Sequence, residues 1–312
     1  MKWIKKGKIF DCHSFSLHWF TKNAMMPLPY RYNDETLRLF VTFCDDENIG
    51  RIGYVDVNLD NPSNILAVSS EPIVNIGEPG TFDDNGVVTG SLFEQDGKLY
   101  LFYSGYQLCR KVPYMIFSGI AVSEDRGDSF KKLTSDVPLL DRIASERNFR
   151  CVPTVIRHGT TLKMWYHADC LQQSAWLVDK NGKMLPVYAE KYMESDDLMQ
   201  WNGTSENVLE FANEDEHGLS IGSIWIENGE YKCIYSVRSL SKGYRLGYAE
   251  SSDGKHFIRK DSELGLDVTP GAFDSDMMCY AKRIELEHKI YLFYSGNHYG
   301  LAGVGYAEME KR

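Results

Sequence analysis

Three acidic residues stand where general acid–base chemistry could take place: Asp84, Glu216 and Asp276. Two carboxyl groups that flank one bond can donate and accept a proton, as they do in most enzymes that cleave glycosidic bonds. Asp84 and Asp276 lie where two otherwise similar stretches of the chain differ. Because a departure from a repeat is more open to a specific role than a position that follows it, we take Asp84 and Asp276 as catalytic candidates. Glu216, at the start of another predicted strand, is the third.

A second set of residues could hold a ligand. It mixes imidazoles, guanidinium groups, carboxylates, an amide and phenols, which suits the hydroxyl groups and the apolar ring face of a sugar. The set comprises His18, Asp45, Asp83, Tyr106, Arg150, His167, His217, Arg238, Asn297, His298 and Tyr299.

Several of these residues also have a plainer structural interpretation. Asp83 follows the repeat, so it could simply cap its turn. Arg150 and Arg238 could clamp a carboxylate or phosphate group, or could pair with Glu146 or Glu216. The histidines could converge on a metal or a phosphate, or could make ordinary hydrogen bonds. Since no two of them have ligand spacing within one element, we predict neither a metal nor a cofactor.

The elements that must position these side chains repeat along the chain. Pro79–Asp83 recurs as Pro270–Asp274, and Tyr100–Gly105 recurs as Tyr291–Gly296 at the same offset. An apolar run that ends in an aromatic residue occurs at intervals of about 60 residues, which is typical of a repeat architecture. These runs are Leu39–Phe43, Leu99–Tyr103, Leu162–Tyr166, Tyr231–Tyr235 and Ile290–Tyr294.

Each apolar run has an apolar or alternating strand before it and a strand with a small-residue signature after it. The first two strands are joined by hairpin residues such as Asp96-Gly97 and Asn228-Gly229. Phe130, Trp201 and Phe257 are each expected to open a fourth strand. The pattern predicts an all-β fold: a five-bladed β-propeller of four-stranded antiparallel blades, formed by residues 1–312 as a single domain.

The two ends of the chain are expected to meet in this propeller. The last blade lacks a fourth strand, whereas Trp3–Phe10 has no blade of its own. We predict that this N-terminal strand completes the last blade and closes the ring, which would remove an exposed edge. The first strand of each blade would line a central channel. The starts of first strands and the ends of second strands then meet at one face, which gathers the candidate residues into a funnel.

Composition narrows the range of partners. The formal net charge is −10 and the pI is about 5.3, which argues against binding to nucleic acid or to an anionic membrane surface.

The first twenty residues hold no apolar run of signal-peptide length, so a cytoplasmic protein is expected. The seven cysteines are scattered, which indicates packing and not disulfides. The oligomeric state is left open.

Some of these stretches resemble a known superfamily. They are Gly80–Ser91, Leu99–Gly105, Gly247–Gly254 and Tyr294–Gly300. Together they are similar to the five-bladed propeller glycosidases, which include the invertase, arabinanase/xylosidase and mannosyl-phosphorylase families. The chain looks most like glycosidase-like proteins associated with bacterial surface-polysaccharide biosynthesis. The resemblance spans essentially the whole chain and implies a propeller that acts on or binds carbohydrate.

The acidic residues of those families are not at their usual places in this chain. The positions carry Met26 and Val152, each followed by proline, Ser220-Ile221-Gly222 in the fourth blade, and the residues near Thr89. Two hypotheses follow. In the first, the chain is an enzyme that cleaves or transfers a glycosyl group, using Asp84, Glu216 and Asp276. In the second, it is a non-catalytic protein that binds a carbohydrate or sugar nucleotide during polysaccharide assembly.

Overall fold

The computed structural model describes residues 1–170, 174–201 and 206–311, and nearly all of its regular structure is β-strand. The predicted hairpin turns form as expected. Asp96 and Gly97 both have positive φ angles, 53° and 73°, and Asn228 and Gly229 have 53° and 83°. Two consecutive residues with positive φ are what a tight turn between twisted antiparallel strands requires.

The strands follow one another in antiparallel groups. The N-terminal strand is β1 (Ile4–Phe10). The next group is β2 (Ala24–Arg31), β3 (Thr36–Cys44), β4 (Gly50–Asn58) and β5 (Ile65–Val68). It is followed by β6 (Val87–Gln95), β7 (Lys98–Leu108), β8 (Tyr114–Ser123) and β9 (Lys131–Lys132). Then come β10 (Phe149–His158), β11 (Thr161–Asp169), the separate hairpin β12 (Trp176–Val178) and β13 (Met184–Pro186), and β14 (Tyr188–Ser195).

The later groups have the same order. One consists of β15 (Glu216–Glu227), β16 (Glu230–Ser239), β17 (Gly243–Ser251) and β18 (Ile258–Arg259). The last contains β19 (Cys279–Glu285), β20 (Lys289–Ser295) and β21 (Val304–Glu310). Helical structure in the described residues amounts to short 3₁₀ turns at Cys12–Ser14 and Asp261–Glu263 and one turn at Asn297–Gly300.

The N-terminal strand lies beside the C-terminal one. β1 pairs with β21 in antiparallel register, with Ile4 opposite Glu308 and Phe10 opposite Val304. The last sheet therefore has the order β1-β21-β20-β19. The fourth strand expected at Trp201 is not a strand at that residue, and residues 202–205 lie outside the described part. Asn207 forms a single bridge with Lys191.

A recurring hydrogen bond ties four of the five strand groups to the next one. A hydroxyl group in the second strand of one group accepts from a backbone amide in the first strand of the following group. The pairs are Thr42 with Thr89 (3.1 Å), Ser104 with Val152 (2.7 Å), Ser236 with Tyr280 (2.9 Å) and Ser295 with Met26 (3.2 Å). The last pair runs from the final group back to the first. Each of these amides lies beside a bulge in its strand.

One group breaks this rule. His167 occupies the position that corresponds to Thr42, Ser104, Ser236 and Ser295. Here the amide of Ile221 donates instead to Glu190, at 3.3 Å. The hydroxyl-bearing residue of the repeat has therefore been replaced by a pair of ionisable side chains.

The core consists of apolar clusters within and between the strand groups. Phe102 of β7, for example, packs edge-on against Trp201, with ring centroids 6.5 Å apart. All seven cysteines are free, and all except Cys109 are buried, as packing roles predict. No helix in the described ranges is long and apolar enough to cross a bilayer.

Candidate functional site

A cavity of about 550 Å³ opens between the β12–β13 hairpin, the turn from β16 to β17, and the segment that follows β20. Its lining includes three residues predicted from the sequence: His217, Arg238 and Tyr299. They come from the start of a first strand, the end of a second strand and the turn after another second strand. The fold thus brings these three residues to one place.

The cavity adjoins a group of aromatic side chains, which we call the tyrosine cluster: Tyr106, Tyr114, Tyr188, Tyr244, Tyr280 and Tyr299. The hydroxyl groups of Tyr188 and Tyr244 are 2.6 Å apart. The ring of Tyr244 lies 5.4 Å from that of Tyr280 and 5.8 Å from that of Tyr299. Tyr114 packs 5.4 Å from Tyr106. The cluster offers both flat apolar faces and hydroxyl groups.

Burial disfavours ionisation of the buried phenols in this cluster. It raises the pKa of Tyr106, Tyr188 and Tyr280 well above the usual value of a phenol, and neighbouring phenols raise it further. Burial also raises the pKa of Tyr114 to about 12, despite the nearby guanidinium of Arg238. The hydroxyl groups can therefore both donate and accept hydrogen bonds at neutral pH.

Arg238 lies against the tyrosine cluster. Its Nη2 donates to the hydroxyl of Tyr299 at 3.1 Å, and its guanidinium carbon lies 5.5 Å from the ring centroid of Tyr244 and 5.8 Å from that of Tyr299. A planar cation beside aromatic faces is held by cation–π attraction. The predicted alternative, a pair with Glu216, does not form, because Glu216 binds Arg259 instead.

His217 is buried and presents one defined tautomer. Its Nδ1 lies 2.9 Å from the carbonyl oxygen of Pro186. Burial lowers the pKa of His217, although that carbonyl partly opposes the shift. Because a carbonyl can only accept, Nδ1 carries the proton, and Nε2 of the neutral ring is a hydrogen-bond acceptor on a residue that lines the cavity.

Behind Tyr188 lies a buried ionisable cluster formed by His167, Glu190 and Lys282. The imidazole of His167 stacks on Tyr188 at 5.1 Å, and its Nε2 is 3.3 Å from Oε2 of Glu190. Burial raises the pKa of Glu190 well above its usual value, and it lowers that of Lys282 to about 8 and that of His167 to about 3. Three buried groups whose pKa values all shift against their charged forms are a costly arrangement.

The three catalytic candidates are held in separate parts of the structure. Glu216 makes a two-pronged ion pair with Arg259, with distances of 2.6 and 3.0 Å, and borders an adjoining cavity with His217. Asp84 accepts from the backbone amide of Gly80 at 2.8 Å. Asp276 is exposed, and its backbone amide donates to Asn297 at 2.8 Å. Among the described residues that line the 550 Å³ cavity, none is Asp84, Glu216 or Asp276.

The other predicted ligand-binding residues fall into buried and exposed sets. Asp83 is buried and binds Tyr103 and Lys132, and Asn297 accepts from the backbone amides of Asp276 and Met277, which precede β19. Arg150 pairs with Glu146 at 2.7 Å, which was its structural alternative. The Asp45 carboxylate accepts from two backbone amides of its own turn and forms an ion pair with Arg51. His18 and His298 are exposed.

Sequence reasoning missed four members of the tyrosine cluster: Tyr114, Tyr188, Tyr244 and Tyr280. Tyr114, Tyr188 and Tyr244 lie at or near the starts of third strands, which reach the same edge of the sheets as the ends of second strands. Only the first two strands of each unit were considered in predicting the funnel. Extending the search to the starts of third strands would have found three of the four.

Comparisons with known proteins give a likeness in fold. No family model matches the chain. The uncharacterized protein MT1551 of Mycobacterium tuberculosis (strain CDC 1551 / Oshkosh) is 29% identical over 310 residues, covering 99% of this chain and 100% of that protein. A thermostable family-43 glycoside hydrolase superposes with a TM-score of 0.68 at 12% identity, covering 93% of this chain and 89% of the other.

A second solved structure has a similar fold. The Bombyx mori GH32 beta-fructofuranosidase superposes with a TM-score of 0.58 at 13% identity, covering 95% of this chain and 62% of that one. At such identities the likeness concerns the fold alone. The chain therefore has a β-rich, glycosidase-like fold, as the sequence resemblance implied.

Proposed function

We propose that this chain is a carbohydrate-binding five-bladed β-propeller whose ligand occupies the 550 Å³ cavity beside the tyrosine cluster. The observation that carries the proposal is the lining of that cavity, where Arg238, Tyr244, Tyr299 and His217 surround one space. Aromatic faces suit the apolar side of a sugar ring, and a few placed polar groups suit its hydroxyls.

The five-bladed ring is supported by the contacts between strand groups. Each group is tied to the next by hydrogen bonds, and Ser295 of the last group accepts from Met26 of the first at 3.2 Å. The pairing of β1 with β21 adds the N-terminal strand to the last group. A closed ring explains both contacts, because it makes the first and last groups neighbours.

The carboxylates around the cavity favour binding over cleavage. Two aspartates, Asp179 and Asp215, line it. Asp179 accepts from the backbone amides of Asn181 and Lys183, and Asp215 accepts from the amide and hydroxyl of Ser241. Asp179 thus holds its own loop, and Asp215 holds the turn between β16 and β17. Glycoside hydrolysis needs two carboxyl groups roughly 5–9.5 Å apart across the scissile bond.

A glycosyl-cleaving enzyme is the second candidate function, favoured by the fold that the chain shares with glycoside hydrolases. In that case Asp84, Glu216 and Asp276 remain the catalytic candidates. The extent of the domain (residues 1–312), the link to surface-polysaccharide metabolism and the cytoplasmic location stay predictions from the sequence.

A saccharide panel tests the two functions against each other. We expect particular glycans to raise the melting temperature of the protein without release of any product. Tyr299→Ala should weaken that binding about tenfold, because it removes an aromatic face worth roughly 1 kcal/mol or more. Leu301→Ala, an exposed change just beyond the same turn, is the control.

Two outcomes would count against the binding proposal. If no glycan in the panel shifts the melting temperature, the cavity does not bind carbohydrate. If the wild type releases sugar and Glu216→Gln or Asp276→Asn abolishes that release in a folded protein, the chain is an enzyme.

A further inference from the structure

Arg238 differs from every other buried or half-buried arginine in the described residues. Six such arginines each have a carboxylate oxygen within 4.0 Å: Arg38, Arg51, Arg150, Arg245, Arg259 and Arg283. Arg238 is half-buried, and no carboxylate of the described ranges lies within that distance. Residues 171–173 and 202–205, which lie outside the described part of the chain, contain neither Asp nor Glu.

The tyrosine cluster compensates the charge of Arg238 only in part. A guanidinium group has five N–H donors in a planar fork that matches a carboxylate or phosphate with two parallel hydrogen bonds. Here Nη2 donates to Tyr299. The guanidinium group also lies close enough to the hydroxyl of Tyr114 to oppose the rise in its pKa. The surrounding phenols are neutral, so in the described part of the chain no group with a formal negative charge is paired with this cation.

The two carboxylates that line the cavity do not form an ion pair with Arg238. The carboxylate of Asp179 is bound within its own loop, that of Asp215 is bound to Ser241, and neither lies within 4.0 Å of Arg238. Lys180 adds a second cation to the lining. His217 is neutral and offers an acceptor nitrogen to a hydroxyl group. An anion beside Arg238 and a sugar ring against Tyr244 and Tyr299 would use all of these features.

We infer that the ligand is an anionic saccharide, a sugar that carries a carboxylate or a phosphate group, and that Arg238 recognises its charged group. This inference rests on the proposed carbohydrate-binding function and narrows it. The required chemistry is an oxyanion attached to a sugar ring, which either a uronic acid or a glycosyl phosphate provides. Arg238 is then the residue that discriminates charged from neutral sugars.

Matched ligand pairs test this inference by isothermal titration calorimetry. One arm compares oligosaccharides of glucuronate or galacturonate with their methyl esters, and another compares glucose 1-phosphate and UDP-glucose with glucose. A third arm uses inorganic phosphate alone. We expect the charged member of one sugar pair to bind at least tenfold more tightly than its neutral counterpart, with weaker binding as salt is raised.

Variants connect that preference to one side chain. Arg238→Gln should remove the preference for the charged sugar, whereas Arg238→Lys should keep part of it because the charge remains without the planar fork. Arg157→Gln is the matched control. Arg157 also makes a hydrogen bond and a cation–π contact, to Gln95 and Phe93, but it does not line the cavity.

The possible outcomes test two separate statements: that the ligand is a charged sugar recognised by Arg238, and that the cavity binds carbohydrate at all. Equal binding of charged and neutral sugars by the wild type would overturn the inference and leave the proposed function standing, whether or not the Arg238 variants fold. A preference that survives in folded Arg238→Gln would also overturn it. Binding of inorganic phosphate as tight as that of any sugar would make this a simple anion site. Failure of all sugars to bind would instead refute the proposed function.

Discussion

The hydroxyl groups of Tyr188 and Tyr244 lie 2.6 Å apart and join two neighbouring strand groups at the wall of the cavity. Tyr188 begins β14 and Tyr244 stands near the start of β17, so the bond links residues of corresponding strands. Both rings are buried. The bond fixes the distance between the two groups at the place where the ligand is proposed to bind.

A double-mutant cycle measures the strength of this bond. Tyr188→Phe and Tyr244→Phe each remove one hydroxyl from a buried pair, and each should lower the free energy of unfolding by about 1 kcal/mol. Because the second change removes a group that has already lost its partner, the double variant should cost less than the sum of the single ones. Urea unfolding gives the three values. Strict additivity would mean that the two hydroxyls do not interact in solution.

The hydrogen bond from the Met26 amide to Ser295 should contribute to the stability of the fold, because it joins the last strand group to the first. Ser295→Ala leaves the buried amide of Met26 without its acceptor, which should lower the free energy of unfolding by about 1–3 kcal/mol. The control is Ser252→Ala, an exposed serine for which a change within about 0.5 kcal/mol is expected. Denaturant midpoints at constant m-value provide the comparison. Equal midpoints for the two variants would contradict the role of Ser295 in joining the first and last groups.

Within the buried ionisable cluster, the imidazole of His167 should make the folded state sensitive to acid. Burial, with a smaller effect of Lys282, lowers the pKa of His167 to about 3, whereas an unfolded histidine titrates near 6.5. Between these values the unfolded chain binds a proton that the folded chain does not. The free energy of unfolding attributable to His167 is therefore fully present above about pH 6.5 and falls as the pH drops towards 3, by an amount on the order of a few kcal/mol.

His167→Ser, which restores the kind of residue found at this position in the other groups, isolates this effect. The free energy of unfolding of the variant should fall less steeply than that of the wild type between pH 6.5 and 4. Glu190, Lys282 and Tyr188 face the imidazole and remain in both proteins. His13→Ser, a change at an exposed histidine, is the control. Parallel pH curves for wild type and His167→Ser would show that the imidazole is not held in its neutral form.

Much of the strand arrangement was predictable because it depends on local chemistry. The apolar runs alternate with turn residues, and a pair such as Asp96-Gly97 can adopt the positive φ angles of a tight turn without help from distant residues. The pairing of Trp3–Phe10 with the last strand followed from the unit that lacked a strand. These features repeat along the chain, so one recognised unit predicted the others.

The candidate site was predictable only in part. His217, Arg238 and Tyr299 do line one cavity, because the ends of strands in consecutive units meet at one face. The partners of the predicted carboxylates were not visible in the sequence. Glu216 binds Arg259, which lies far along the chain on an outer strand, and no spacing rule connects the two.

The sequence by itself determined the repeat, the antiparallel strands and the mixture of polar and aromatic residues available at the strand ends. Only the tertiary structure decided which charges are neutralised and which are not. That outcome depends on contacts between residues far apart in the chain, which pair Glu146 with Lys191 and Glu216 with Arg259 and leave Arg238 among neutral phenols. Side-chain type sets what a residue can bind, whereas packing sets what it does bind.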